Sequence, residues 1–536
     1  MKDLVNYLSY KSTGYFSRIV VDYLEEAAEL RPFYKDAPTL DGIKKAIEAR
    51  KTFATNRKLL VTELQKQYAG IALTEKQQTY ISALENDNCF TITTAHQPNI
   101  FTGHLYFIYK ILHAIKLAET LQQQLPDDVF VPVYYMGSED ADLEELGEVY
   151  INGDTYHWAT NQTGAVGRMK VDDALINIIT AIAGQVSVEP SGGEIIELIR
   201  HCYTKGSSIE HATFRLVNEL FAGYGLIILM PDNALLKQSM HAIFKDDMLN
   251  NSSAHIVAQA SEKLAAHYKV QAYPRNINLF YLKDDLRERI EKENAQYSIV
   301  NTRLSFSKEE MMAELSAHPE RFSPNVILRG LYQETILPNI AFIGGGGELA
   351  YWLQLKELFE HYKIPYPVQV LRNSFLLVEE KLRAKAAGLG FSIEDFFRDE
   401  TTLMNKLVLQ KSSLRLDLDN EKKQLAKYYA ELKIVAAAVD TTLAGHVENL
   451  CVKALKKINA LEKKMLRSEK IKFEAEQRQL HKIKKLLFPG NSLQERIENF
   501  IPYYAKWNKG FIKILYENSL GLEQQFTIIS PVLGKS

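Results

Sequence analysis

A chain of 536 residues exceeds what one hydrophobic core organises, so about two to four domains or inserts are expected. A hydrophobic fraction of 46% with 24% charged residues is that of a globular protein, and a formal net charge of −2 argues against a partner held by overall charge, such as bulk nucleic acid. The three cysteines (Cys89, Cys202 and Cys451) lie far apart, without zinc-ligand spacing, so no disulfide framework is suggested and a reducing compartment fits best. The start, Met1 to Tyr7, carries no apolar leader, and no run of about 18 apolar residues occurs, so a cytoplasmic protein with no membrane segment is expected.

Residues 1–85 read as helices: Arg18 to Leu24 and Ile43 to Leu64 show 3.6-residue spacing, punctuated by Pro32 and Pro38. In residues 86–149, the β-prone run Cys89 to Thr94 leads into a polar loop and an apolar-periodic segment reaching about Leu125. The order strand, loop, helix offers free backbone N–H groups and a positive dipole end to an anion. Thr102 and Gly103 remove bulk there, and His96 and His104 add titratable donors. The loop therefore reads as the floor of a nucleotide or substrate site, while ordinary capping of a strand–helix turn explains the same residues equally. A second β-prone run, Asp128 to Met136, makes a parallel β–α–β unit. It ends in Glu139, Asp140 and Asp142, carboxylates placed to hold Mg²⁺, an ammonium or a sugar hydroxyl, or to cap a helix.

Residues 150–220 read as a connective insert, a hairpin-like piece followed by helices. Residues 221–390 return to the central pattern: a buried strand to Asp232, a helix to His267, and a β-prone run from Tyr273 to Tyr281 interrupted by Arg275 and Asn278. Asn325 and Arg329 follow, and then the glycine run Gly344, Gly345, Gly346 and Gly347. Four glycines cost backbone entropy, a cost usually retained where a group must approach the backbone. Glu348, Trp352 and Lys356 come next at helical spacing near one face. Neither a Walker A ending nor a dinucleotide fingerprint is present. A last strand leads to Arg372 and Ser374. Residues 391–487 change character: Leu418, Leu425, Leu432 and Val439 recur every seven residues, and Asp440-Thr441-Thr442 reads as the turn before a second helix. Between Lys453 and Lys485 basic residues outnumber acidic ones roughly three to one. Residues 488–536 read as a tail folding back on the core.

These residues also carry a resemblance. His96-Gln97, Phe101-Thr102-Gly103, Leu105-Tyr106, Ile108-Tyr109-Lys110, Glu139-Asp140 with Asp142, Asn276 to Tyr281 and Arg287 to Ile290 resemble the bacillithiol-biosynthesis cysteine-adding enzymes, the BshC family. So do Ser323-Pro324-Asn325, the Gly344 to Lys356 segment, Leu487 to Gly490 and Leu493 to Arg496, in the family's order. Two departures stand out: His104 where proline is common, and Gly346 in a Gly-Gly-Pro-Gly-like segment. The resemblance implies an α/β fold: a Rossmann-like parallel-sheet core akin to nucleotidylyltransferases and class I synthetases, with connective inserts and a long antiparallel coiled-coil domain that pairs two copies. It implies amide formation between cysteine and the amine of glucosaminyl-malate.

Joining a free carboxylate to an amine needs carboxyl activation, for which ATP with Mg²⁺ is the expected source, as acyl-adenylate or acyl-phosphate. His96, Thr102, Gly103 and His104 are then candidates for phosphate or carboxylate, Glu139, Asp140 and Asp142 for the amino sugar or Mg²⁺, and Arg275, Arg329 and Arg372 for the malate carboxylates. Glu348 and His96 are candidate general bases. Gln97, Lys110, Asn278, Asn325, Trp352, Lys356 and Ser374 complete the expected site. No zinc is expected. The competing readings are a nucleotidylyltransferase on another small acid and an RNA-binding coiled-coil protein using the basic arm.

Overall fold

The computed structural model describes residues 4–294 and 296–531. The chain forms two compact units, one running to residue 376 and taking up 493–529, the other built mainly on 377–492.

The first unit is organised by a five-stranded parallel sheet. Its strands are β1 (Cys89–His96), β2 (Val129–Met136), β3 (Ile227–Leu229), β9 (Asn339–Gly344) and β10 (Val368–Leu371), in the order β10–β9–β1–β2–β3. Strand β1 is buried on both faces except at its last residue, as helices covering both sides require. Helix α1 (Tyr106–Gln124) makes the crossover to β2 and buries residues almost all round. Phe90, Ile92, Leu117, Leu121, Phe130, Ile340, Ile343 and Val370 form one core cluster, joined by Ile43 and Ile47 from the helix Leu40–Lys51. Strand β3 leads into the short helix α2 (Ala234–Gln238), while α3 (Val326–Ile336) precedes β9 and α4 (Gly346–Trp352) follows it. Because β2 and β3 extend the sheet on one side of β1 and β9 and β10 on the other, the connections leave the carboxyl ends of β1 and β9 in opposite directions. That divergence opens a crevice.

A polar seam crosses this core. Asn339 accepts from Thr93 at 2.8 Å and donates to Glu334 at 2.8 Å, and Glu334 pairs with the fully buried Arg50 at 2.6 Å. Arg50 also donates to the carbonyl oxygens of Asn339 and Glu334. Burial lowers the Arg50 pKa to about 10, against the pull of Glu334.

Two parts of this unit differ from the sequence reading. Leu4–Leu8, inside a region read as helices, is a strand in a three-stranded sheet with Ser374–Leu377 and Phe526–Ser530. Its five residues are too few for alternation to separate strand from helix. Inside the stretch read as the second half of the core lies an antiparallel sheet of β4 (Leu279–Lys283), β5 (Leu286–Glu293), β6 (Gln296–Ile299), β7 (Ser305–Ser307) and β8 (Phe322–Pro324), in the order β7–β6–β5–β4–β8. Residues 148–221 form a hairpin, Glu148–Ile151 with Asp154–His157, then three helices: Asp173–Val186, Gly192–Cys202 and Ile209–Phe221.

The second unit carries two long helices, α5 (Asp419–Val439) and α6 (Leu443–Lys470). Ion pairs Lys422–Glu462 and Lys433–Glu448 fix them antiparallel, since one register rises as the other falls. Asp440 caps the turn, accepting from the Thr442 N–H at 2.8 Å.

Replacing Arg50 with alanine strands a buried Glu334 carboxylate, and is expected to cost about 3–5 kcal/mol. Urea unfolding of the first unit's tryptophan signal measures it.

Candidate active site

A cavity of about 590 Å³ occupies the crevice, and every strand of the parallel sheet reaches it at its carboxyl end. Ala95 and His96 come from β1, Gly137, Glu139 and Asp140 from beyond β2, and Pro231 from beyond β3. Gly345 to Glu348 follow β9, and Arg372 follows β10. The antiparallel insert adds Arg275, Phe280, Arg287 and Asn325, and the returning chain adds Arg496.

The floor is a network of paired charges. Lys110, on α1, is buried and donates to the Ala95 carbonyl at 2.6 Å and to Glu348. Burial lowers its pKa, with Glu348 opposing. Glu348 also accepts from the Gly345 N–H at 2.8 Å, capping α4. Arg372 is held by Glu495 at 2.6 Å and by Ser374 Oγ at 3.0 Å, with its guanidinium 5.2 Å from the centre of the Tyr106 ring. Burial pulls the Arg372 pKa down, but Glu495 outweighs it and the net shift is upward. Arg329 donates to the Tyr351 hydroxyl. Burial, and after it Lys110, His104, Arg372 and Arg329, holds His96 well below the usual imidazole range, so the ring is neutral. Its Nε2 is buried without a hydrogen-bond partner, an arrangement a bound polar group would complete.

Against this paired floor, three cations line the cavity without a protein partner: Arg287 is half-buried, and Arg275 and Arg496 are exposed to water. Among the described residues no hydrogen bond or ion pair reaches the side chains of Arg275, Arg287 or Arg496. Arg287 lies over the Phe280 ring at 3.9 Å with its Nε buried and without an acceptor. Such guanidinium groups are suited to carboxylate or phosphate.

Of the residues singled out in the sequence, His96, Gln97, Lys110, Glu139, Asp140, Arg275, Asn325, Arg329, Gly345, Gly346, Gly347, Glu348 and Arg372 line the cavity. The others lie elsewhere, each for a local reason. The loop expected to cradle an anion is occupied by protein: the Asn499 amide donates to the carbonyls of Phe101 at 3.0 Å and Gly103 at 2.6 Å, and the Leu105 N–H donates to the Glu498 carbonyl. Phe101 and Thr102 adopt φ of 51° and 68°, and Thr102 is buried. His104 bonds the Ile497 carbonyl at 3.2 Å. Asp142 is an exposed cap on the turn Leu143–Leu146, accepting from the Glu145 N–H. Asn278 is buried on Asp247 and Ser253. Trp352 is core, packed on Phe342 and Phe359, and Lys356 bonds the Pro32 carbonyl. Ser374 supports Arg372 from behind.

The glycine run is likewise explained by two different demands. A Cβ on Gly344 would sit 2.9 Å from Phe342 Cε1, and one on Gly346 would sit 3.0 Å from Val20 Cγ2, so these two are small for packing. A Cβ on Gly347 meets nothing within 4 Å and would project into open space at a residue lining the cavity. None of the four has positive φ.

Sequence reasoning left out Tyr106, Arg287 and Arg496 as site residues, although all three stand inside the segments that carried the family resemblance. It also missed Lys237, whose buried position no local pattern announces. Among the described residues no group of three His, Cys, Asp or Glu side chains gathers to hold a metal. Asp140 instead accepts from the Ala141 N–H at 2.7 Å and from Gln97 at 3.2 Å.

A parallel sheet with arginines gathered at its switch-point crevice, and a separate unit of long paired helices, define a Rossmann-like protein with a coiled-coil domain. Comparison with known proteins narrows this. Residues 4–373 match the "Bacillithiol biosynthesis BshC, N-terminal Rossmann-like domain" and residues 375–531 the "Bacillithiol biosynthesis BshC, C-terminal coiled-coil domain". The chain is 39% identical to a protein of Flavobacterium johnsoniae named "Putative cysteine ligase BshC", covering 98% of this chain and 99% of the relative. A Cytophaga hutchinsonii protein of the same name is 34% identical, with 96% of each chain covered. The chain belongs to the bacillithiol-biosynthesis BshC family.

Substituting Gly347 with alanine is expected to leave the melting temperature unchanged and to raise KM for a cavity ligand about tenfold, since one methyl now intrudes. Steady-state kinetics beside a thermal melt separate the two effects.

Proposed function

We propose that this protein is a ligase that joins the carboxyl of cysteine to the amine of glucosaminyl-malate, after ATP-dependent activation of the carboxyl, and so completes bacillithiol. The observation that carries the reading is the contrast within one cavity between cations already paired, Lys110 and Arg372, and cations left without an acceptor, Arg275, Arg287 and Arg496. Free guanidinium groups in a crevice call for a polyanionic ligand, and malate carboxylates and nucleotide phosphates both meet that need. The size suits it as well, since ligand cavities run from about 300 to 1,000 Å³.

In this reading Arg287, with Arg275 and Arg496, binds the anionic groups of the substrates, and Mg²⁺ enters with the nucleotide rather than on a protein carboxylate cluster. Neutral His96 offers its ring nitrogen to a bound polar group, and Gly347 leaves room for the ligand beside α4. The phosphate leaving group departs with the electron pair of the C–O bond as the amine nitrogen forms the new C–N bond. Exposed Ile434, Val435 and Val439 on α5 support pairing of two copies through the coiled coil. Among the described residues no helix is long and apolar enough to cross a membrane. With three free cysteines, that supports placement in the reducing cytoplasm.

Mass spectrometry of the purified protein with cysteine, glucosaminyl-malate, ATP and Mg²⁺ tests the reading. The expected result is the thiol product, with AMP released if the carboxyl is adenylated and ADP if it is phosphorylated. Pyrophosphate release with no acceptance of the amine would instead point to a nucleotidylyltransferase, and no binding of either substrate would overturn the proposal. Arg287→Ala is expected to raise KM for glucosaminyl-malate roughly 10- to 150-fold, the loss of about 1.5–3 kcal/mol of charged hydrogen bonding.

A further inference from the structure

Resting on the ligase reading, we infer that Glu139 is the base that takes the proton from the attacking amine, and that the buried Lys237 is a positioning residue that keeps Glu139 in place and ionised.

Glu139 sits just past the carboxyl end of β2 and lines the cavity. Its Oε1 accepts from Lys237 Nζ, while Oε2 has no hydrogen-bond partner among the described residues. The side chain keeps 10% exposure, so a carboxylate oxygen is left for a ligand. Lys237, on α2, is fully buried, and its Nζ also donates to Asp232 Oδ1 at 3.0 Å and to the Glu320 carbonyl at 3.0 Å. An ammonium has three protons. All three are spent on protein, so Lys237 has none for a substrate and acts only through its neighbours. Asp232 is in turn saturated: Arg168 donates to both of its oxygens, at 2.7 and 2.9 Å. Lys237 therefore has one partner that it shares with Arg168, Asp232, and one, Glu139, with no other hydrogen-bond donor among the described residues.

The other charged groups facing this cluster are Arg287 from the insert and Glu210 from the helix Ile209–Phe221. Tyr135 and Tyr332 also lie close, each with its hydroxyl pKa raised chiefly by burial. Burial raises the Glu139 carboxyl against the pull of Lys237, which makes it a better proton acceptor than an exposed carboxylate. Burial and Asp232 push Glu210 up to about 7, so it is only partly ionised near neutrality. The two bases named from sequence are less suited. Glu348 also keeps one oxygen free, but it accepts two hydrogen bonds, from Lys110 and the Gly345 N–H, where Glu139 accepts one, and it is the more solvated, 23% exposed against 10%; His96 is held neutral as a weak base.

The step balances simply. The amine lone pair forms the C–N bond, the bond to the leaving phosphate oxygen breaks with its electron pair, and the nitrogen's surplus proton passes to Glu139.

The test is the pH profile of product formation in the full-length protein with cysteine, glucosaminyl-malate, ATP and Mg²⁺. Glu139→Gln keeps shape and the bond to Lys237, and is expected to lower kcat by about 10²–10⁴-fold with KM little changed. Lys237→Met removes the cation that favours the carboxylate, so the acidic limb is expected to move to higher pH by about 1–3 units. Lys237→Arg should restore it. The substrate's own ammonium titrates identically in every variant and drops out of the comparison. If Lys237→Met fails to fold, Glu139→Gln decides alone. A Glu139→Gln variant with normal kcat and raised KM would reduce Glu139 to an ammonium-binding group and overturn the inference. A Lys237→Met variant with lower activity but an unmoved limb would make Lys237 merely structural, which also overturns it. No product from the unsubstituted protein would instead overturn the ligase reading.

Discussion

Strand β1 is hydrogen-bonded on one edge to a strand that follows it directly and on the other to a strand more than two hundred residues later. That pairing is the constraint on which the site depends. It forces the connections after β1 and β9 to leave in opposite directions, and residues from all five strand ends converge on the crevice between them. The pairing is held by contacts that a helix–sheet core supplies cheaply, such as Phe90 and Ile92 against Leu117 and Ile340. It also carries a costlier feature, the Arg50–Glu334–Asn339–Thr93 chain crossing the sheet. Such a buried polar chain fixes register more than it adds stability, because apolar substitutes of similar volume would pack as well or better.

The electrostatics follow from that architecture. The cations near the strand ends are mostly neutralised by a partner from a distant part of the chain: Arg372 by Glu495, Lys110 by Glu348, Lys237 by Glu139. The unneutralised remainder is concentrated on Arg275 and Arg287 of the antiparallel insert and on Arg496 of the returning chain. Those segments are not part of the sheet. The sheet thus provides a floor of mostly paired charges, and the additions to it carry the arginines without a protein partner.

How far this was legible in the chain divides along the same line. The parallel core could be read because β1 and β2 are long, apolar runs separated by a periodic helix, so burial leaves a direct mark on composition. His96, Glu139, Gly345 and Arg372, named from loop chemistry, acidic clustering, the glycine run and the last strand, all line the cavity. The antiparallel insert escaped because its strands are short or polar: β5, as long as β1, reads Leu-Arg-Glu-Arg-Ile-Glu-Lys-Glu. The loop at Thr102 and Gly103 looked like an anion cradle because only its own residues were visible. Its N–H groups are taken by backbone carbonyls, Thr102 by Asn99, Gly103 by Ile100 and Leu105 by Glu498, and its own carbonyls by Asn499, almost four hundred residues away. Lys237 illustrates the same limit, since a lysine in a short helix looks solvated until its three acceptors are seen. Local chemistry names the groups, and only tertiary pairing says which are already spent.

The central claim is that the free arginines of the crevice mark the substrate site. A crystal structure of the protein with glucosaminyl-malate bound tests it most directly. The account predicts density in the cavity between His96 and Gly347, with the malate carboxylates against Arg287 and the amine facing Glu139. Ligand density elsewhere on the chain, with Arg287 still stacked on Phe280 and bonded to nothing, would contradict it.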